Sequence, residues 1–172
     1  ADAGEVMAGL PWEVLHPKLI GVRLTGKLNG WASPKDVILY LCGLLTVKGG
    51  TNKIVEYFGP GAETISATGK GTICNMGAEL GATTSVFPFD QKMVAYMNIT
   101  DRADLANLAQ SHKDLLVADS EVYQSPEKYY DQIVEVDLSK LEPTVACHPD
   151  PGQRKKAKEM NLKLDRAYIG SC

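Results

Sequence analysis

The chain has 172 residues, a formal net charge of −3 at pH 7 and a pI of about 5.6. This length allows one domain with its own hydrophobic core, and the weakly acidic charge lacks the basic footprint of a nucleic-acid-binding protein. The longest apolar run, residues 37–47, is broken by Tyr40, Gly43 and Thr46 and is too short to span a membrane. We therefore expect neither nucleic acid nor a membrane as a partner.

The first sixty residues alternate between helical and extended patterns. Ser33 followed by Pro34 is typical of a helix start, because the serine caps free backbone N–H groups and proline needs none. The apolar spacing of that helix predicts a buried face of Val37, Ile38, Leu41, Leu44 and Leu45. The predicted elements are the end of a helix at 3–8, a strand at 18–24, a helix at 34–47 and a central strand at 54–58.

Turn residues at 59–61 precede a glycine-rich segment that we predict to be a helix over 70–81. A short strand over 84–87 then stops at Pro88. Two helices are predicted at 90–97 and 102–109, with Asp101 as a cap of the second.

The last third of the chain is less regular. Residues 111–128 are predicted to be mostly loop, and 132–138 alternates as a half-buried strand does. Further expectations are an extended connector at 142–152, a short basic helix at 153–161 with a solvated face, and a strand at 165–170 that ends at Ser171 and Cys172.

This alternation of strands and helices predicts an α/β fold, a three-layer α/β/α sandwich with a mainly parallel sheet. We expect residues 1–140 to form the α/β domain. Residues 141–172 would then contribute the connector, the short helix and a final strand leading into the next domain.

The stretch from Gly69 to Ser85 carries the most unusual pattern. Asn75 and Glu79 are four residues apart, so a helix through both would place them on one face. Each glycine in such a helix costs about 0.5–1 kcal/mol relative to alanine, which favours a role in close approach of another backbone or a cofactor. The alternative on pattern alone is a buried glycine-rich helix with one solvated carboxylate.

The four cysteines at 42, 74, 147 and 172 include no CxxC pair, so their spacing indicates neither a disulfide framework nor a zinc site, and a reduced intracellular compartment is the simpler interpretation. Cys42 and Cys74 are predicted to be core residues. The amino terminus has no signal-peptide pattern and no initiator methionine, which suggests a mature or excised piece.

Three segments together resemble a known family: TICNMGAELGATTSVFP, the preceding SPKDVILYLCGLLTVKGGTNKIVEYFGPG, and the terminal YIGSC. They resemble the aconitase superfamily of iron–sulfur hydro-lyases, mitochondrial-type aconitases in particular. The resemblance covers most of residues 3–100, weakens over 101–164 and returns at 165–172. It implies interconversion of citrate and isocitrate via cis-aconitate at a [4Fe-4S] cluster.

By this resemblance Cys172 is a cluster ligand, the first of three thiolates, with the other two supplied by a CxxC outside this chain. Glu79 matches the catalytic carboxylate that hydrogen-bonds the hydroxyl or water at the open iron. Asn75 matches the amide beside the cluster, which makes supporting contacts to the cofactor and the reacting groups.

This sequence lacks two parts of the family's active site. One is an Asp-Ser-His segment, and the other is a domain that carries arginines and the serine that acts as the catalytic base. The resemblance therefore implies an internal domain, inactive alone, whose partners are the remaining domains of a parent enzyme and a tricarboxylic acid substrate. The implied location is the mitochondrial matrix or a bacterial cytoplasm. A homoaconitase or isopropylmalate dehydratase domain remains an alternative, as does a non-catalytic folded module that binds only its parent domains.

Overall fold

The computed structural model describes residues 2–161, 163 and 165–166 of the chain. Within these residues, four parallel strands form one sheet in the order β3-β2-β1-β4, which confirms the predicted α/β class with a mainly parallel sheet. The strands are β1 (Lys18–Thr25), β2 (Lys53–Phe58), β3 (Thr84–Val86) and β4 (Gln132–Asp137).

The described residues also form six α-helices. They are α1 (Asp2–Met7), α2 (Pro34–Leu45), α3 (Ala67–Asn75), α4 (Gln91–Ile99), α5 (Ala103–Ser111) and α6 (Ser120–Gln124). Helices α1, α2, α4 and α5 agree with predicted helices, and α3 starts and ends earlier than predicted. Helix α6 lies in the predicted loop over 111–128 together with two short 3-10 helices. None of the described helices has the length and apolar character that a bilayer crossing requires.

Helix α2 begins where the sequence predicts. Ser33 precedes it in extended conformation, and the Asp36 carboxylate accepts hydrogen bonds from the Ser33 backbone N–H at 2.7 Å and from its hydroxyl at 2.8 Å. Leu44, however, is 54% exposed, so its predicted burial was wrong. Leu45, the next residue and also predicted to be buried, does pack partly buried against the core, so the buried face of the last turn includes Leu45 and not Leu44.

The core lies between the sheet and helices α2 and α3. Alternate residues of the three longer strands point into it, as the period of two in a β-strand requires. The strand residues are Ile20, Val22, Leu24, Val55, Tyr57, Val134 and Val136, and α2 contributes Val37, Ile38 and Leu41.

The opposite face of the sheet is covered by the segment that leads into β4. The ring of Tyr130 stacks on Phe58 with centroids 5.3 Å apart. It also lies directly over Gly21, where a Cβ would come within 2.5 Å of the ring. These contacts place a layer on each face of the sheet, which agrees with the predicted α/β/α sandwich.

Two local predictions were wrong. Asp101 does not cap α5: Arg102 occupies the N-cap position without a side-chain cap bond, and Asp101 has a positive φ of 56°. The predicted helix over 153–161 is instead strand β6 (Arg154–Lys156) followed by a 3-10 helix, and β5 (Thr144–Ala146) forms within the predicted connector.

The hairpin of β5 and β6 exists because it docks on α2. Asp36 accepts a hydrogen bond at 2.6 Å from the backbone N–H of Thr144, and the Arg154 guanidinium lies 4.8 Å from the centre of the Tyr40 ring. Glu142 pairs with lysines of the segment that was expected to be a solvated helix. The predicted strand over 165–170 falls almost wholly outside the described residues.

Candidate functional site

The predicted continuous helix over 70–81 was wrong at both ends. Helix α3 starts at Ala67, after Ser66 accepts a cap hydrogen bond at 3.1 Å from the backbone N–H of Gly69, and it ends at Asn75. A 3-10 helix, Met76–Leu80, follows and ends at Gly81 with φ 71°. Because a 3-10 helix turns about 120° per residue, four-residue spacing no longer stacks Asn75 and Glu79 on one face.

A cavity of about 390 Å³ lies where this segment returns to the sheet. Asn75 is one of the residues that line it, whereas Glu79 is exposed on the 3-10 helix beside them. The lining residues are Cys74, Asn75, Gly77, Ala78, Ala82, Thr83, Thr84 and Ser85. The structure therefore places one of the two predicted side chains in the cavity wall and leaves the other outside it.

The cavity lies at the amino edge of the sheet. The backbone N–H of Thr83 donates to the carbonyl of Lys53, the first residue of β2, at 2.8 Å. The N–H of Gly50 donates to the carbonyl of Leu80, also at 2.8 Å. These bonds tie the 3-10 helix and the start of β3 to the turn that precedes β2.

Ser85 is a lining residue that sequence reasoning missed as a site candidate. Its hydroxyl oxygen is buried and has no hydrogen-bond partner within the described residues. Gly77 packs directly on that oxygen, since a Cβ built at Gly77 would collide with it. The sequence shows a glycine and a serine eight residues apart, but no local pattern indicates that the serine is buried or that the two residues meet.

Burial disfavours the thiolate form at two of the described cysteines, Cys42 and Cys74. Burial raises the pKa of Cys74, and it raises the pKa of the fully buried Cys42 to about 11, with further contributions from the Glu79 and Asp150 carboxylates. Both side chains pack in or against the core, which confirms the predicted core roles. Because the thiolate is the form that binds metal, burial works against iron binding at both side chains.

Among the described residues, no three His, Cys, Asp or Glu side chains come together as metal ligands would. Cys172, the predicted cluster ligand, lies outside the described residues. The cavity does supply an amide from Asn75, a group that suits a supporting role beside a cluster whose thiolates come from elsewhere, whereas the Ser85 hydroxyl is buried beneath Gly77.

Comparison with known proteins covers nearly the whole chain. The sequence profile of the Aconitase family (aconitate hydratase) matches residues 1–171. The chain is 60% identical over 182 aligned positions to the mitochondrial aconitate hydratase of Saccharomyces cerevisiae and 60% identical to that of Candida albicans. It is 52% identical to the probable mitochondrial aconitate hydratase of Dictyostelium discoideum over 181 positions.

Each of these alignments includes 100% of this chain and 23% of the relative. The chain thus spans about a quarter of the length of the relatives that it matches. With the fold, the cavity and the family match taken together, this chain belongs to the aconitase family.

Proposed function

We propose that this chain is one domain of an aconitase-type hydro-lyase that interconverts citrate and isocitrate through cis-aconitate. The observation that carries the proposal is the family match over residues 1–171, which includes the whole cavity segment. The named relatives are aconitate hydratases, and three quarters of their length lies outside this alignment. The isolated domain is accordingly proposed to be inactive.

The cofactor of the proposed reaction is a [4Fe-4S] cluster, and Cys172 would be one of its three thiolate ligands. A bound cluster would supply an iron that polarises the substrate hydroxyl as a Lewis acid. The described residues would surround that group rather than ligate it, since no three potential metal ligands come together among them and burial raises the pKa of the Cys42 and Cys74 thiols.

Glu79 is proposed as the acid and base that acts on the substrate hydroxyl. Its exposed carboxylate, on the 3-10 helix, is free of ion pairs among the described residues. In its protonated form it would donate a proton to the hydroxyl, which leaves as water, and as the carboxylate it would accept a proton from the water that adds back. Asn75, which lines the cavity, would orient the reacting groups through its amide.

The proposed partners are the remaining domains of the parent enzyme and a tricarboxylic acid substrate. Because the named relatives are mitochondrial proteins, a mitochondrial matrix enzyme is proposed, with a bacterial cytoplasmic one as the other possibility. The other domains would complete the site by closing over the cavity at the amino edge of the sheet.

The proposal is tested by anaerobic reconstitution of the full-length parent with iron and sulfide, followed by assay of cis-aconitate formation from citrate. Glu79→Gln should keep the cluster absorbance and lose most turnover. Cys172→Ser should lose or destabilise the cluster. Two control variants change the same residue types outside the cavity lining: Glu121→Gln at an exposed glutamate and Cys147→Ser at a partly buried cysteine. Both should leave the cluster absorbance and the turnover unchanged.

Equal cluster content in the Cys172→Ser variant and the wild-type parent would overturn the assignment of Cys172. A parent that takes up the cluster and ignores citrate would overturn the substrate assignment and favour a homoaconitase or an isopropylmalate dehydratase. Turnover by the 172-residue chain alone would overturn the proposal that it is one part of a shared active site.

A further inference from the structure

A buried ion pair closes residues 70–90 into a loop. Lys70 is the sole charged residue of α3 and is only 3% exposed. Its ammonium donates to the carboxylate of Asp90, whose side chain is 15% exposed, and lies 5.7 Å from the centre of the Phe87 ring. The first and last residues of the loop are therefore joined inside the protein.

Asp90 also starts the next helix. Its second carboxylate oxygen accepts hydrogen bonds at 3.1 Å from the backbone N–H groups of Lys92 and Met93, the first turn of α4. One carboxylate thus fixes α4 and the buried ammonium of α3 together. A shift of either helix would break one of these bonds.

The candidate site lies inside this loop. Every residue that lines the 390 Å³ cavity falls between positions 74 and 85, and Glu79 does too. The far end of the loop is held by the two backbone bonds from Gly50 and Thr83 described above. The near end is held by the ion pair, so the pair limits how the cavity walls can move relative to the sheet.

Stability alone is a poor explanation for such a pair. The free-energy cost of removing two charges from water is about as large as the attraction between them. A protein with apolar side chains of similar size in place of a buried ion pair is often at least as stable. The pair instead fixes one geometry. A buried ammonium and a carboxylate that also caps α4 have few other arrangements in which all of their hydrogen bonds are made.

We infer that Lys70 and Asp90 are positioning residues that hold the 70–90 loop, and with it Asn75 and Glu79, in the arrangement the site needs. The inference rests on the proposed function for its catalytic consequence. Its structural consequence, a loop that loosens when the pair is removed, does not depend on which reaction is catalysed.

The test uses the full-length parent with Lys70→Met, Asp90→Asn and the double variant. Asparagine retains the ability to cap α4. Arg23→Met is the matched control, since it removes a surface ion pair with Glu135 elsewhere in the same sheet. Turnover, KM, thermal unfolding and the alkylation rate of each cysteine, resolved by peptide mass spectrometry, are measured for all variants.

Cys74 reports on the loop because it lies within it and lines the cavity, whereas Cys147 lies outside and Cys42 is fully buried. In the double variant, Cys74 alkylation should rise by about tenfold, while the rates at Cys147 and Cys42 stay as in the wild type. Turnover should fall by about 10- to 100-fold with little change in KM and in the unfolding midpoint.

A double variant with wild-type turnover and wild-type Cys74 labelling would overturn the inference. So would one that unfolds at a much lower temperature with all three thiols labelled faster, because the pair would then support the fold as a whole. Selective Cys74 labelling with unchanged turnover would show that the loop moves without consequence for the site, which also overturns it. If the wild-type parent ignores citrate, the proposed function fails, and Cys74 labelling still decides whether the pair closes the loop.

Discussion

Two glycines in the same helix should respond in opposite ways to the same substitution. Gly69 and Gly71 both lie in α3, two residues apart. A Cβ at Gly69 would lie 2.7 Å from Pro34 Cγ, 2.9 Å from Ile65 Cγ2 and 3.0 Å from Ser66 Oγ, whereas a Cβ at Gly71 would meet no atom within 4 Å. Gly69 is thus a point of close approach and Gly71 is not.

The difference in the free energy of unfolding between Gly69→Ala and Gly71→Ala measures the cost of placing a methyl group at the close contact. Replacing a helical glycine with alanine stabilises by about 0.5–1 kcal/mol at either position, so this contribution cancels when Gly69→Ala is compared with Gly71→Ala. Overpacking costs about 1–3 kcal/mol and applies at Gly69 alone. We expect Gly69→Ala to be less stable than Gly71→Ala by about 2 kcal/mol.

Thermal unfolding of the 172-residue chain, followed by circular dichroism, measures this difference. For a domain of this size, 2 kcal/mol corresponds to a midpoint difference of about 4–8 °C. Gly71→Ala should melt above the wild type. Equal midpoints for the two alanine variants would refute the reasoning, because they would mean that α3 does not pack against α2 at Gly69.

Two further predictions concern Asp36 and Cys42, two buried residues of α2. Asp36→Ala should lower the free energy of unfolding by about 2–3 kcal/mol and speed protease cleavage within residues 142–159, because the carboxylate accepts bonds from Ser33 and Thr144; unchanged cleavage there would contradict it. Burial raises the pKa of Cys42 from its ordinary value of 9.0 to about 11. The contribution of the protonated thiol to the free energy of unfolding is therefore complete below pH 9 and is lost as pH rises through 11. Urea unfolding across this range should show a decline that Cys42→Ala reduces, and an identical pH slope in the variant would contradict the assignment.

The elements that could be predicted are those whose signals are local. Alternation over β1, β2 and β4 reflects a strand with one buried face, and the Ser33-Pro34 start of α2 reflects backbone N–H groups that every helix must satisfy. The β5–β6 hairpin could not be predicted in this way. It depends on the bond from Thr144 to Asp36, which joins residues 108 positions apart.

The same distinction applies to the candidate site. Asn75 and Glu79 are predicted from the family resemblance, and the structure places Asn75 in the cavity wall. Lys70 and Ser85 were missed as candidates because their interest comes from burial, which the sequence around them does not reveal. Local spacing also gave the wrong helix over 70–81: the chain changes to a 3-10 helix after Asn75, where Gly77 packs on Ser85, a contact that local spacing does not reveal.

The position of the cavity differs from the usual one for this class of fold. Ligand sites of open α/β sheets usually lie beyond the carboxyl ends of the strands, and Cys172 was predicted to follow such an end. Asn75 lies at the amino edge instead, because α3 returns the chain to that edge before β3. The proposed catalytic role of the cavity therefore depends on groups that the other domains of the parent enzyme would bring to the amino edge of this sheet.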